Sequence, residues 1–178
     1  MPDPSDFDRS TILAELSAAR ERFATLACEM DDTNRDLSSV GTRWTNHQLL
    51  FHMLLGYLVV WPLLVLIEVF DRLPPVASRQ FAGLLNRGVR PFNAVNYWGG
   101  CMGAAVLSPA RIGRVSERVI ARWERRVRGA SQNTIGRAMC FPTGWDPFFS
   151  DAMSIGDLLG YPTLHFQFHE RQLDLTLR

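Results

Sequence analysis

Apolar positions along this chain recur at helical rather than strand spacing. Ile12, Leu13, Leu16, Ala19, Phe23, Leu26 and Met30 recur at helical spacing, which predicts a first helix over 10–30 with one buried face. Asp31-Asp32-Thr33-Asn34 ends it. Thr45-Asn46-His47-Gln48 then has capping-box spacing, with Thr45 as N-cap and Gln48 reaching back to it. A second helix is expected from 45 to about 72, kinked at Pro62 and stopped by Pro74-Pro75. A third is bounded by Ser108 as N-cap, Pro109 in first position and Gly129 just past the end. On it, Ile112, Val115, Val119, Trp123 and Val127 share one arc, and Arg111, Arg114, Arg118, Arg122 and Arg125 share another. A last helix starts near Ser154 and runs to about Leu173, with Pro162 as a kink or a second start. Residues 76–107 read as a long connection with a short helix over 76–86, and 130–153 as loop. The expectation is an all-α, up-down four-helix bundle over 10–178, preceded by a flexible tail over 1–9 and without strand hairpins.

One segment complicates this picture. Leu49 to Ile67 is apolar enough to resemble a membrane span. His52 lies inside it, Pro62 interrupts it, Glu68 closes it, and no second span of that length follows. A buried core helix is the expected reading, with the span as the alternative.

Composition narrows the chemistry. The 178 residues are 47% apolar and 21% charged, which suits one globular domain. The formal charge of +1 provides no global field to recruit nucleic acid. All 19 basic residues are arginine, so no lysine is present to act as Schiff base, general base or phosphate-loop cation. The arginine arc on the third helix reads as a solvated face, with a grip on phosphate or carboxylate as the alternative. The three cysteines, Cys28, Cys101 and Cys140, are odd in number and widely spaced. They are expected to be buried and reduced, in a cytoplasmic protein. The acidic, proline-broken start lacks the basic and apolar regions of a signal peptide, so none is expected.

The four histidines are the informative residues. His165 and His169 stand at i and i+4, one above the other on one helix face, close enough to share a metal or to form a core or capping pair. His52 lies on an apolar face with Leu55, Gly56, Val59 and Leu63, where either coordination or a buried hydrogen bond would satisfy it. Together the three favour a facial tri-histidine site with an open position, as in catalytic metal centres. Neutral imidazoles suit zinc, nickel, copper or iron. His47 lies about 140° around the helix from His52 and is read as a polar residue of the helix start. Glu68, about 160° from His52, is expected to pair with Arg72. Gln172 shares the His165/His169 arc, as a group behind a ligand or a plain polar residue. Trp145, Phe148 and Phe149 are expected to line a pocket, plug the bundle end or form a dimer contact. Tyr57, Tyr97, Asp146, Asp151 and Tyr161 are acid–base candidates without a spacing that assigns a role.

Trp44-Thr45 before a helix, followed by Leu50-Phe51-His52-Met53-Leu54, resembles the start of helix two in the DinB-like superfamily. Tyr161-Pro162-Thr163-Leu164-His165-Phe166-Gln167-Phe168-His169-Glu170-Arg171-Gln172 is similar to that family's terminal H-x3-H-x2-Q element. The resemblance implies a four-helix bundle, often homodimeric, whose divalent metal is held by His52, His165 and His169. It also implies thiol-dependent chemistry of the mycothiol S-transferase or isomerase kind, on a small-molecule electrophile. A metal-dependent hydrolase and a non-enzymatic metal-stabilised module are the alternatives. No nucleic-acid or membrane partner is expected. The 76–107 connection and the aromatic 141–149 segment depart from the family pattern, and the substrate is not carried across them.

Overall fold

A computed structural model of the chain describes residues 7–175. Of the expected tail, residues 1–6 lie outside the described residues, while Asp8 and Arg9 cap and open the first helix. The described residues are mostly helical, with seven helices and two short strands. Helix α1 spans Arg9–Glu29, and its N-cap Asp8 accepts hydrogen bonds from the Ser10 and Thr11 backbone amides. Bonds from the Ser10 and Thr11 hydroxyls and the Thr11 amide hold the Asp8 carboxyl well below the usual range. Helix α2 spans Asn46–Phe70 and opens with both halves of the Thr45/Gln48 capping box in place. Helix α5 spans Pro109–Arg128 between Ser108 and Gly129, as its sequence signals require. Helix α7 spans Ile155–Glu170, started by a Ser154/Asp157 capping box, and Pro162 lies within it without dividing it.

These four helices share the core. α1 packs along α5 and α7, and α2 packs against α5 and α7. Trp123, Tyr57, Phe23 and Phe166 are the largest side chains sealed between them, and Trp123 Nε1 donates to the Tyr57 carbonyl at 3.0 Å. The arginine arc of α5 is exposed as expected. On the same helix Glu124 is buried, where Arg128 Nη2 donates to it at 2.9 Å and Arg20 Nη1 stands 3.3 Å from its other oxygen.

The 76–107 region corrects the sequence reading. The short helix expected over 76–86 is there as α3 (Pro75–Arg87), but the rest of the connection is a further helix, α4 (Val89–Val106), packed on α2. The glycines that read as loop are the contact surface. A Cβ at Gly103 would overlap the Phe51 ring, and one at Gly100 would meet Trp44 Nε1 at 2.9 Å. Glycine weakens a helix by about 1 kcal/mol relative to alanine, and here its lack of a side chain admits α2 at close range.

Three further expectations change. Residues 130–153 contain a short helix α6 (Gln132–Ile135) and an antiparallel pair, β1 (Ala138–Cys140) with β2 (Ala152–Ser154). Met139 faces Met153 in that pair and both are buried. The pair holds the 141–151 loop on short struts leading directly into α7. Glu68 pairs with Arg126 of α5 at 3.3 Å rather than with Arg72. The free cysteines are not buried: Cys28 is exposed, and Cys101 and Cys140 are half-buried.

Helix α2 is long and apolar enough to cross a membrane. Leu49, Leu50, Met53, Leu54, Tyr57, Val60, Leu64 and Ile67 are buried within the fold, whereas Leu58, Val65 and Val69 are exposed.

Candidate metal centre

The site begins with two capping boxes. The one at Thr45 starts α2 so that His52 falls on its inner face, and the one at Ser154 starts α7 so that His165 and His169 fall on one face about three and four turns later. Packing of α2 on α7 brings the three imidazoles together, with ring centroids 4.9 Å (His52–His165), 4.7 Å (His52–His169) and 4.5 Å (His165–His169) apart. One ring nitrogen from each lies within 4.8 Å of the others. His52 and His165 are buried and His169 is half-buried. Gly56, one turn beyond His52, makes room for this cluster, because a Cβ there would meet His165 Nδ1 at 2.5 Å.

The electrostatics keep these rings neutral. Burial, then the nearness of His169, pushes His52 down to about 3. Burial, then His52 and His169, holds His165 well below the ordinary histidine value. Burial lowers His169 too, opposed by its hydrogen bond to Gln172 and by the Asp146 charge. Neutral imidazoles keep the lone pairs that a cation requires.

The three donors could hold one cation, and one pair of them already stands at ligand spacing. His169 Nδ1 donates to Gln172 Oε1 at 2.7 Å, which leaves the lone pair on His169 Nε2. That atom lies 3.2 Å from His52 Nε2. Metal–nitrogen bonds of about 2.0–2.1 Å at tetrahedral angles put two ligand nitrogens about 3.3 Å apart. His52 Nδ1 and His165 Nδ1 are buried without a hydrogen-bond partner. Three neutral imidazoles this close could share one cation, which on His52 would take the Nε2 that faces His169. His47 takes no part, since its Nε2 donates to the Leu107 carbonyl at 2.8 Å and ties α2 to the end of α4.

Two residues outside the histidine set support the cluster. Trp44 stacks on His52 at 4.2 Å with an interplanar angle of 23°, and its Nε1 donates to the Tyr97 carbonyl. Asn46 is fully buried. Its Nδ2 donates to the Asn34 and Asp174 carbonyls, and its Oδ1 accepts from the Asp174 amide, tying the start of α2 to the chain beyond α7. The only sequence signal for Trp44 was its place before the histidine-bearing helix.

Cavities reach the cluster from two sides. The more polar and more open one, of about 440 Å3, is lined by Arg43, Trp44, Asn93, Asn96, His169 and Gln172 among others. Arg43 lies over the Tyr97 ring at 4.5 Å. A second, largely apolar one of about 280 Å3 is bordered by His52 and His165. Trp145 and Phe149 line it as pocket residues, while Phe148 packs edge-on against Phe168. Asp146 also faces this second cavity, accepting from Tyr161 Oη at 2.8 Å and from the Phe148 amide at 2.9 Å. Burial raises its carboxyl above the usual range, against these bonds and His169. Tyr57 is sealed in the core, and Asp151 contributes its backbone carbonyl to the Phe141 amide. No family model matches the chain, and no curated protein or solved structure matches it.

Proposed function

We propose that this chain is a DinB-like four-helix bundle metalloprotein, with α1, α2, α5 and α7 as its bundle. In this reading His52, His165 and His169 hold one divalent cation, zinc first and nickel or iron as alternatives. The observation that carries it is the convergence of three neutral imidazoles at the meeting point of two cavities. A structural metal site is closed, whereas a catalytic one keeps a position open to substrate. Bound there, a divalent cation would supply Lewis acidity, lowering the pKa of a thiol or water that it binds.

The reaction class we propose is transfer or isomerisation that depends on a low-molecular-weight thiol such as mycothiol, acting on a small electrophile. The polar cavity supports this, because Arg43, Asn93, Asn96 and Gln172 present hydrogen-bonding and cationic groups suited to a hydroxyl- or carboxylate-bearing co-substrate. Gln172 orients His169, and Trp44 holds the His52 ring from behind. The test has two stages. Metal analysis of the purified chain is expected to give about one divalent ion per chain, lost in His52→Ala and His169→Ala. Metal-loaded protein is then assayed with electrophiles, with and without thiol. Turnover that needs thiol supports the transferase reading, turnover in water alone supports a hydrolase, and metal retained in both variants refutes the site.

A further inference from the structure

The apolar cavity beside the histidines has a specific shape and chemistry. Leu55, Val59 and Leu63 of α2, Phe92 of α4, and Trp145 and Phe149 of the 141–151 loop form its walls. Asn96 and Asp146 add polar groups, and apart from the His52 and His165 rings no basic side chain lines it. The walls are anchored. Phe92 and Trp145 stack at 4.0 Å with an interplanar angle of 13°, and Trp145 Nε1 donates to the Leu85 carbonyl at 2.8 Å. On the other side, Asp146 is pinned to Tyr161 of α7.

Such a space is poorly suited to water, which needs two to four polar partners. Left empty, it forfeits packing. An engineered apolar cavity of about 150 Å3 accepts benzene, so the 280 Å3 here suits a substituted ring or a fused pair. The Asp146 carboxyl and the lack of arginine disfavour an anionic tail, in contrast with the Arg43 side of the cluster.

We infer that this chamber binds the tail of a neutral, apolar substrate of one to two rings, whose polar head reaches the three-histidine centre. The inference rests on the metal reading above and adds the substrate class. The two cavities then divide the work, with the polar partner entering past Arg43 and the apolar one past Phe92 and Trp145.

Calorimetric titration of the zinc-loaded full chain with acetohydroxamate, benzohydroxamate and 4-carboxybenzohydroxamate tests this. All three carry the same metal-binding head. Benzohydroxamate is expected to bind at least about tenfold more tightly than acetohydroxamate, because its ring leaves water for the chamber. The carboxylated ring is expected to lose most of that advantage. Val59→Phe fills the chamber from a helix position that is 43% exposed. It is expected to abolish the preference while leaving acetohydroxamate affinity and zinc content unchanged. Equal affinities of the wild-type protein for the three probes, with zinc bound, would overturn the chamber assignment alone. A wild-type chain that holds no zinc would overturn the metal reading and this inference with it. Should Val59→Phe fail to fold, the three-probe comparison in the wild-type chain decides by itself.

Discussion

Gln172 decides which nitrogen of His169 carries the proton. Its Oε1 accepts from Nδ1, so Nε2 faces His52 with a lone pair. Partners of this kind fix both the tautomer and the direction of a metal-binding ring. Gln172→Leu is therefore expected to weaken metal affinity about 10–100-fold, measured by chelator competition, while Gln172→Glu retains most of it. A Gln172→Leu protein with wild-type affinity would refute the role. The buried imidazoles also set a pH dependence for the metal-free chain. An unfolded histidine titrates near 6.5, whereas His52 in the fold titrates near 3. Between those values the unfolded chain takes up protons that the folded core refuses, so stability is lost as pH falls from about 6.5 toward 3 and is unaffected above that window. Urea titrations of chelator-treated protein check this. Replacing the ring by His52→Gln is expected to flatten the decline, and an unchanged slope would contradict it.

At the scale of elements, the helix signals that act within a few residues were legible and the contacts between helices were not. The Thr45/Gln48 box, the Ser108-Pro109 start and Gly129 all stand where the spacing placed them, because capping involves neighbours in sequence. Helix α4 was hidden for the opposite reason. Gly99, Gly100 and Gly103 are poor helix formers, and what outweighs their cost is the approach of Trp44 and Phe51 from another part of the chain. Gly103→Ala is accordingly expected to destabilise the protein by about 1–3 kcal/mol through overpacking against Phe51, where an exposed helical glycine would gain from the same change. Gly83 of α3, with open space at its Cβ position, is the control, and Gly83→Ala is expected to be neutral or stabilising. Denaturant midpoints of the two variants test the contrast. The short β1/β2 pair is not legible in the sequence because three-residue strands carry too little alternation.

For the whole molecule, the metal would join α2 to α7, so its removal acts on the entire fold. Ligand binding to the native state alone stabilises by RT ln(1 + [L]/Kd), about 2.7 kcal/mol at one hundred times Kd. Thermal unfolding with added zinc is expected to shift upward, and with chelator downward, in the wild-type chain but in neither His52→Ala nor His169→Ala. Identical shifts in all three proteins would place the effect elsewhere. By itself the sequence determined the helical content, the main helix starts, the i, i+4 pairing of His165 with His169 and the inward face of His52, since each depends on residues within a few turns. Only the tertiary structure decided that α2 meets α7 with His52 level with that pair. It alone brought Trp44 and Asn46 to support the site, and left a more polar cavity on one side of it and an apolar one on the other. Those features join side chains separated by up to 128 positions, and helical periodicity carries no information about which faces meet across such distances.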